Sequence, residues 1–176
     1  MTVSAFIVRE SAEGPRLLLH KHKRLDLFLQ PGGHVELDEH PWAALAREVR
    51  EETGYDLAQL DVLQPPSRMT VPSLDSTVLH PIPVSVRTHD FDSDGRHRHI
   101  DLGFAFVTSS EPNGRPAEGE SEVLVWTSRE ELSALDAIPA NVRQVADFVL
   151  GRARVMWDRV AATSFAFMGI QAGLPS

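Results

Sequence analysis

Two short apolar runs open the chain. Residues 3 to 9 (VSAFIVR) and 16 to 20 (RLLLH) read as strands, with Glu13-Gly14-Pro15 forming the turn between them. Leu27 to Leu29 make a third, short strand that runs into Gln30-Pro31-Gly32-Gly33, where the glycines permit backbone geometry and close approach that side chains would block. The period then changes. After His40-Pro41, with proline suited to a first helical turn, the apolar Trp42, Leu45, Ala46 and Val49 recur at helical spacing. Gly54 supplies a left-handed stop, so the pattern predicts one helix over about residues 41 to 53.

Beyond that helix, Leu60 to Leu63 read as a strand that Pro65-Pro66 ends. Residues 77 to 88 (TVLHPIPVSVRT) are extended, with two prolines confining them to an edge or a bulge. Residues 98 to 107 (RHIDLGFAFV) are the clearest strand. Arg98, Ile100, Leu102, Phe104 and Phe106 share one face, whose apolar members mark it as core-facing, and His97, His99 and Asp101 share the other. A polar loop over 110 to 121 leads to a strand from Glu122 to Trp126, and Ser128-x-x-Glu131 is a capping box that opens a short helix. A longer helix is predicted over about Asn141 to Ala161, weakened in its middle by Gly151. The tail from Ser164, with Phe165, Phe167, Met168 and Ile170, either covers the core or joins a dimer contact. Strands, one acid-bearing helix, more strands and a terminal helix fit an α+β chain, an α/β/α sandwich with a mixed sheet.

Composition narrows this picture. At 176 residues and 42 % hydrophobic content, one domain with a sizeable core is expected over residues 1 to 176. The absence of cysteine removes disulfides and thiolate metal sites. The start, MTVSAFIVRE, lacks the basic region and long apolar run of a signal peptide, and no stretch reaches the ~20 apolar residues needed to span a bilayer. A cytoplasmic location is the resulting expectation. A net charge of −8 disfavours a grip on long nucleic acid through its phosphates, but not on a small phosphorylated substrate.

The candidate chemistry lies on the helix at 41 to 53. Glu48, Glu51 and Glu52 fall within an arc of roughly 100° beside the apolar stripe. Carboxylates so close repel one another, and a cation relieves that repulsion. Oxygen-only, acidic ligation suits Mg²⁺, with Mn²⁺ as a substitute. A solvated face, in which Arg47 pairs with Glu51 at i,i+4 and Arg50 neutralises the rest, is the competing account of the same residues.

The whole stretch Gly33 to Tyr55 fits the pattern G-x5-E-x7-R-E-U-x-E-E-x-G-U, U being a bulky aliphatic, at Gly33, Glu39, Arg47, Glu48, Val49, Glu51, Glu52 and Gly54. Tyr55 departs from it, standing where an aliphatic is usual. This stretch resembles a Nudix box, the signature of the Nudix hydrolases. The resemblance implies an α/β/α sandwich with a mixed sheet over about residues 3 to 160. It also implies hydrolysis of a diphosphate linked to another group, usually in a nucleotide. Carried onto this chain, it makes Glu48, Glu51 and Glu52 the metal ligands, with a backbone carbonyl from Gly32 or Gly33, Gly33 being preferred. Arg47 then orients a box glutamate, and Glu39 supports the helix start or touches the metal. Water activation falls to Glu51, Glu52 or Glu120, the last placed in the loop before the strand at 122 to 126, with Glu118 and Glu122 as rivals. The implied partner is a small phosphorylated molecule, a nucleotide above all, and a homodimer is compatible with the tail.

Other residues carry weaker signals. In the basic run Lys21-His22-Lys23-Arg24, Lys23 and Arg24 are candidate phosphate-binding groups, against the alternative of a solvated loop. Phe28 is read as core rather than as a stacking platform. His97 and His99 lack the further ligands a tetrahedral zinc site needs. His99 and Asp101 either face a substrate cleft or serve a hydrogen-bonded structural role. With His80-Pro81-Ile82-Pro83, they resemble a bacterial Nudix subgroup. Asp90, Asp92, Asp94 and Gly95 imitate the start of a calcium loop, but the flanks are strands and position twelve is Asp101, so an acidic hairpin loop is the better account. Two alternatives to a hydrolase follow from the resemblance. A Nudix-fold binding or regulatory module is expected to lack box carboxylates, which are all present here. The isopentenyl diphosphate isomerases use a catalytic cysteine, and this chain has none.

Overall fold

A computed structural model describes residues 1–69, 79–90 and 98–165. Its centre is β1 (Thr2–Arg9), a largely apolar strand buried on both faces. β1 pairs antiparallel with β2 (Arg16–Lys21) only at Val8↔Leu17 and Arg9↔Arg16. Beyond that point the two strands part. β3 (Phe28–Leu29) lies along the end of β2, whereas β4 (Gly32–His34) lies along the start of β1. The chain crosses between them at Pro31, whose carbonyl accepts from the Ala5 N–H at 2.8 Å. The short strand predicted before the glycines forms as β3, and the glycine stretch expected as a loop adds a second strand, β4, which pairs with a different partner.

The helix α1 (Pro41–Thr53) forms as its sequence dictates. The His40 ring accepts from the Ala43 N–H, proline occupies the first turn, and Gly54 closes the helix at φ 76° with its N–H on the Arg50 carbonyl. Its apolar stripe rests on one face of the sheet, where Trp42 meets Phe104 edge-on at 5.4 Å and stacks near Phe106 at 5.9 Å. Phe165, the first apolar residue of the tail, adds an edge contact to Trp42 at 6.0 Å. The rest of the tail, from 166, lies outside the described residues.

β5 (Asp61–Gln64), β6 (Ser85–Asp90), β7 (Arg98–Thr108) and β8 (Leu124–Thr127) complete the central pairings. β7 runs parallel to β1 along its whole length, from Thr2↔Asp101 to Arg9↔Thr108. Its far side pairs with β6 and then with β5, both antiparallel, and β8 adds to β2. The sheet is thus mixed, as expected. The capping box at Ser128 and Glu131 forms and opens α2 (Arg129–Ala134). α3 (Ala140–Phe148) then covers the second face of the sheet through Val142 and Ala146.

Two expectations need correction. The long helix predicted to Ala161 ends at Met156, after a wide turn over Val149–Ala153 that contains Gly151. Residues 158–161 instead form β9 (Asp158–Ala161), paired with β5, so Val160 sits in a strand opposite Val62. The face assignment of β7 is also inverted in its first half. His99 and Asp101 are buried, and Ile100 is 46 % exposed. Among the described residues, no helix is long and apolar enough to cross a membrane. Residues 70–78 and 91–97 lie outside the described residues, and with them Thr77, Val78, His97 and most of the acidic loop.

Candidate active site

Arg47 projects from α1 into its own acidic face. Its guanidinium donates to Glu39 through Nε and Nη2 at 2.8 and 3.0 Å, to Glu48 Oε1 at 2.9 Å and to Glu51 Oε2 at 3.2 Å. Nη2 also reaches the His34 carbonyl at 3.1 Å, which ties the helix to the end of β4. These ion pairs hold the Glu39 carboxyl below its usual range. One arginine thus connects three of the motif's acids.

Glu52 lies deeper, on the side of α1 that faces the parting strands. Its Oε2 accepts the Gly32 N–H at 2.7 Å, and its Oε1 stands 3.8 Å from Nδ1 of His20 on β2. Burial is the main force raising its pKa, to about 8; the Gly32 hydrogen bond opposes it, and Glu48, Glu120 and Glu51 add smaller upward pressure. Burial likewise raises Glu48 despite the Arg47 contact, with Glu51 and Glu120 adding to the shift. His20 is pushed the other way, down to about 4, because burial disfavours the imidazolium, and so the ring is neutral near pH 7.

Glu120 reaches this neighbourhood from far along the chain. Its loop is anchored on the last turn of α1: the Ala117 N–H donates to the Glu51 carbonyl at 2.6 Å and the Gly114 N–H to the Gly54 carbonyl at 3.0 Å. Gly54 is needed for this approach, since a Cβ there would lie 2.5 Å from the Gly114 backbone. Tyr55, which replaces the usual aliphatic, is buried and donates its hydroxyl to the Ser110 carbonyl at 2.8 Å, fixing the loop's other end. Lys23 Nζ bonds to the Gly119 carbonyl beside Glu120. Lys23 and Glu120 both line a groove of about 500 Å³ between residues 21–26 and 119–123.

The residues expected to form a metal site therefore converge from α1, β4 and the loop before β8. As the side chains stand, no three His, Asp or Glu groups among the described residues close around an ion, because Arg47 draws Glu48 and Glu51 toward itself. The donor set nonetheless fits a hard divalent cation. It is all oxygen, its members repel one another, and Gly33 leaves an open cradle where a Cβ would meet the Glu48 carboxylate at 2.3–2.8 Å.

Asp101 and His99 stand apart from the cluster. Asp101 Oδ1 accepts from Ser4 Oγ at 2.8 Å and Thr2 Oγ1 at 3.0 Å, and Oδ2 pairs with Arg87 at 2.8 Å. Those bonds stitch β1, β6 and β7 together, so of the two roles open to Asp101 the structure favours the structural one. His99 is buried with its ring 4.8 Å from that of His34 and 5.6 Å from that of His89. Arg24 is exposed in the β2–β3 loop, and Phe28 is half-buried against the core. Two contributors escaped the sequence reading, the Gly32 N–H and His20. The trace of His20 was a histidine at a core-facing register of an apolar strand, two residues after Leu18.

Comparison with known proteins identifies this arrangement. The family model described as the NUDIX domain matches residues 1–148. No curated protein matches the chain. Among solved structures, a NUDIX-family hydrolase from Clostridium perfringens is 30 % identical, with a TM-score of 0.67, covering 85 % of this chain and 94 % of that one. The NUDIX domain of Shewanella oneidensis NrtR, complexed with ADP ribose, is 15 % identical with a TM-score of 0.60, over 88 % and 86 % of the two chains. The Escherichia coli dihydroneopterin triphosphate pyrophosphohydrolase is 19 % identical with a TM-score of 0.59, over 85 % and 93 %. The last two likenesses speak for the fold alone. With the family model spanning most of the sequence and a hydrolase 30 % identical along nearly its full length, the chain belongs to the Nudix family and is a pyrophosphohydrolase acting on a phosphoric anhydride.

Proposed function

We infer that this enzyme hydrolyses the diphosphate linkage of a small phosphorylated substrate, a nucleoside diphosphate joined to a second group or a close relative of one, and that it depends on Mg²⁺ or Mn²⁺. The observation that carries this reading is the convergence of Glu48, Glu51, Glu52 and Glu120 on one edge of the sheet, with Glu48 and Glu52 both raised by burial and by their acidic neighbours. Carboxylates in that state favour a divalent cation. The ADP ribose bound to one solved relative and the dihydroneopterin triphosphate in another's name are phosphorylated small molecules and agree with the substrate class.

In this reading Glu48, Glu51, Glu52 and the Gly33 carbonyl hold the cation. When bound, it neutralises phosphate oxygens and makes water a better nucleophile. The chain does the rest. Arg47 keeps Glu48 and Glu51 turned toward the β4 end of the site, and the Gly32 N–H fixes Glu52. Glu51, Glu52 or Glu120 accepts the proton of the attacking water. Lys23, which lines the groove beside Glu120, and its chain neighbour Arg24 attract the phosphate chain and help hold nucleophile and leaving group in line.

The test is a phosphate-release screen with Mg²⁺ over nucleoside di- and triphosphates, nucleotide sugars and dinucleotides, coupled to a phosphatase that reveals masked products. Glu51→Gln runs beside the wild type. Turnover of one class, reduced by orders of magnitude in the variant, is the expected result. Tight binding of a nucleotide ligand without turnover in Mg²⁺ or Mn²⁺ would instead assign the chain to a binding module.

A further inference from the structure

His20 lies outside the box, and its surroundings are unusual. It sits on β2 with its main chain occupied, opposite Leu29 on β3 and Leu124 on β8. Only 4 % of the residue is exposed, yet Nδ1 has no hydrogen-bond partner. A buried polar atom without a partner carries a desolvation cost that folded proteins usually avoid. The nearest carboxylate is Glu52, whose Oε1 is 3.8 Å away and whose Oε2 is already held by the Gly32 N–H. A shift of under about 1 Å brings Nδ1 and Oε1 into hydrogen-bond range.

Resting on the metal-site reading above, we propose that His20 is a positioning residue for Glu52: its ring donates Nδ1–H to Oε1 and, with the Gly32 N–H on Oε2, fixes the carboxylate plane in which a divalent cation is bound. The other neighbours of Glu52 that shape its charge are Glu48, Glu51 and Glu120, all acceptors when ionised, and none can orient it in this way. β2 and β4 belong to the two halves of the parted sheet. Their two donors therefore hold Glu52 from opposite sides of the split, which aligns the last turn of α1 with both halves. Donors of this kind typically change metal affinity by about 10- to 100-fold.

Two measurements test the proposal without relying on turnover. Nitrogen NMR of histidine-labelled protein in saturating Mg²⁺ reads the tautomer of His20 directly, and the expected result is the Nδ1-protonated form. Mn²⁺ affinity of substrate-free protein, measured by electron paramagnetic resonance, is expected to fall about 10- to 100-fold in His20→Leu. It should largely recover in His20→Asn, whose side-chain amide can place an N–H where Nδ1 lies. An Nε2-protonated ring, or a His20→Leu variant that binds Mn²⁺ as tightly as wild type, overturns the proposal. So does an asparagine variant no better than leucine, which would mark a packing role. The wild-type tautomer decides the matter even if the leucine variant fails to fold. Failure of the wild type to bind Mn²⁺ at all, or undiminished binding in Glu52→Gln, would overturn the metal-site reading itself and this inference with it.

Discussion

Arg47 grips Glu39 with two parallel hydrogen bonds, Nε to Oε1 at 2.8 Å and Nη2 to Oε2 at 3.0 Å, across eight residues of sequence. The fork leaves Nη1 for Glu48 and Glu51, so the arginine's geometry, and not only its charge, sets where those acids point. Lysine keeps the charge and loses the fork. Arg47→Lys is therefore expected to lower kcat/KM by about 10- to 100-fold, with weaker metal binding measured in parallel. Wild-type kinetics in that variant would show that charge alone suffices.

The two glycines of β4 should fail differently. A Cβ on Gly33 meets only the end of the Glu48 side chain, which can swing away. Gly33→Ala should stay folded while metal affinity drops, because Glu48 is displaced from the cradle. At Gly32 the backbone has φ 148°, and a Cβ would meet the Val3 carbonyl oxygen at 2.1 Å. Gly32→Ala should lose stability, by about 1–3 kcal/mol for the strained backbone and more from the clash. Urea melts of both variants, with a metal titration of the first, check the contrast. Equal stability loss in the two would refute it.

Glu52, with its pKa raised to about 8, holds a proton at neutral pH in the metal-free protein. Cation binding must expel that proton. Apparent Mg²⁺ affinity should therefore fall as pH drops below about 8, approaching tenfold per pH unit if Glu52 alone governs it. Calorimetry in two buffers of different ionisation enthalpy should show close to one proton released near pH 7. Equal heats in both buffers would remove Glu52 from the ion.

Glu10 offers a pH test remote from the site. It accepts from Arg159 Nη1 and Nη2, each at 2.8 Å, and from Arg154 at 3.1 Å, and these contacts lower its pKa below the ordinary 4.5. A depressed carboxylate stabilises the fold above its unfolded pKa, and that contribution is lost as pH falls through the folded value. The Tm gap between wild type and Glu10→Gln should be widest above pH 4.5 and close under stronger acid. A gap independent of pH would mean that the amide loses packing and not charge.

Much of this was legible in the sequence where local rules and tertiary demands agree. α1 announced itself through Pro41, its apolar stripe and Gly54, and β1 and β2 through short apolar runs. Reading failed where long-range pairing decides. Asp158–Ala161 continues a helical pattern, yet β5 claims it as a strand. Ile100 looks core-facing by alternation, but its face is left uncovered at that end, whereas Asp101 is buried by hydroxyls from β1 and a guanidinium from β6. Glu120 could be guessed by position. What holds it, the bonds from its loop to Glu51 and Gly54, is written in main-chain groups that no side-chain pattern encodes.

The parallel pairing of β1 with β7 also governs the order of assembly. Gly32–His34 hydrogen-bonds to residues 2–4, and these lie beside residues 101–103. Such distant partners make the closing step slow, since loop-closure entropy is met before the contacts reward it. On the ribosome, the helix and its glutamates emerge long before β7 can lock β1, the strand against which the Gly32 N–H strand is paired. The acidic cluster therefore acquires its shape only when the middle of the sheet closes, and folding intermediates should lack the chemistry altogether.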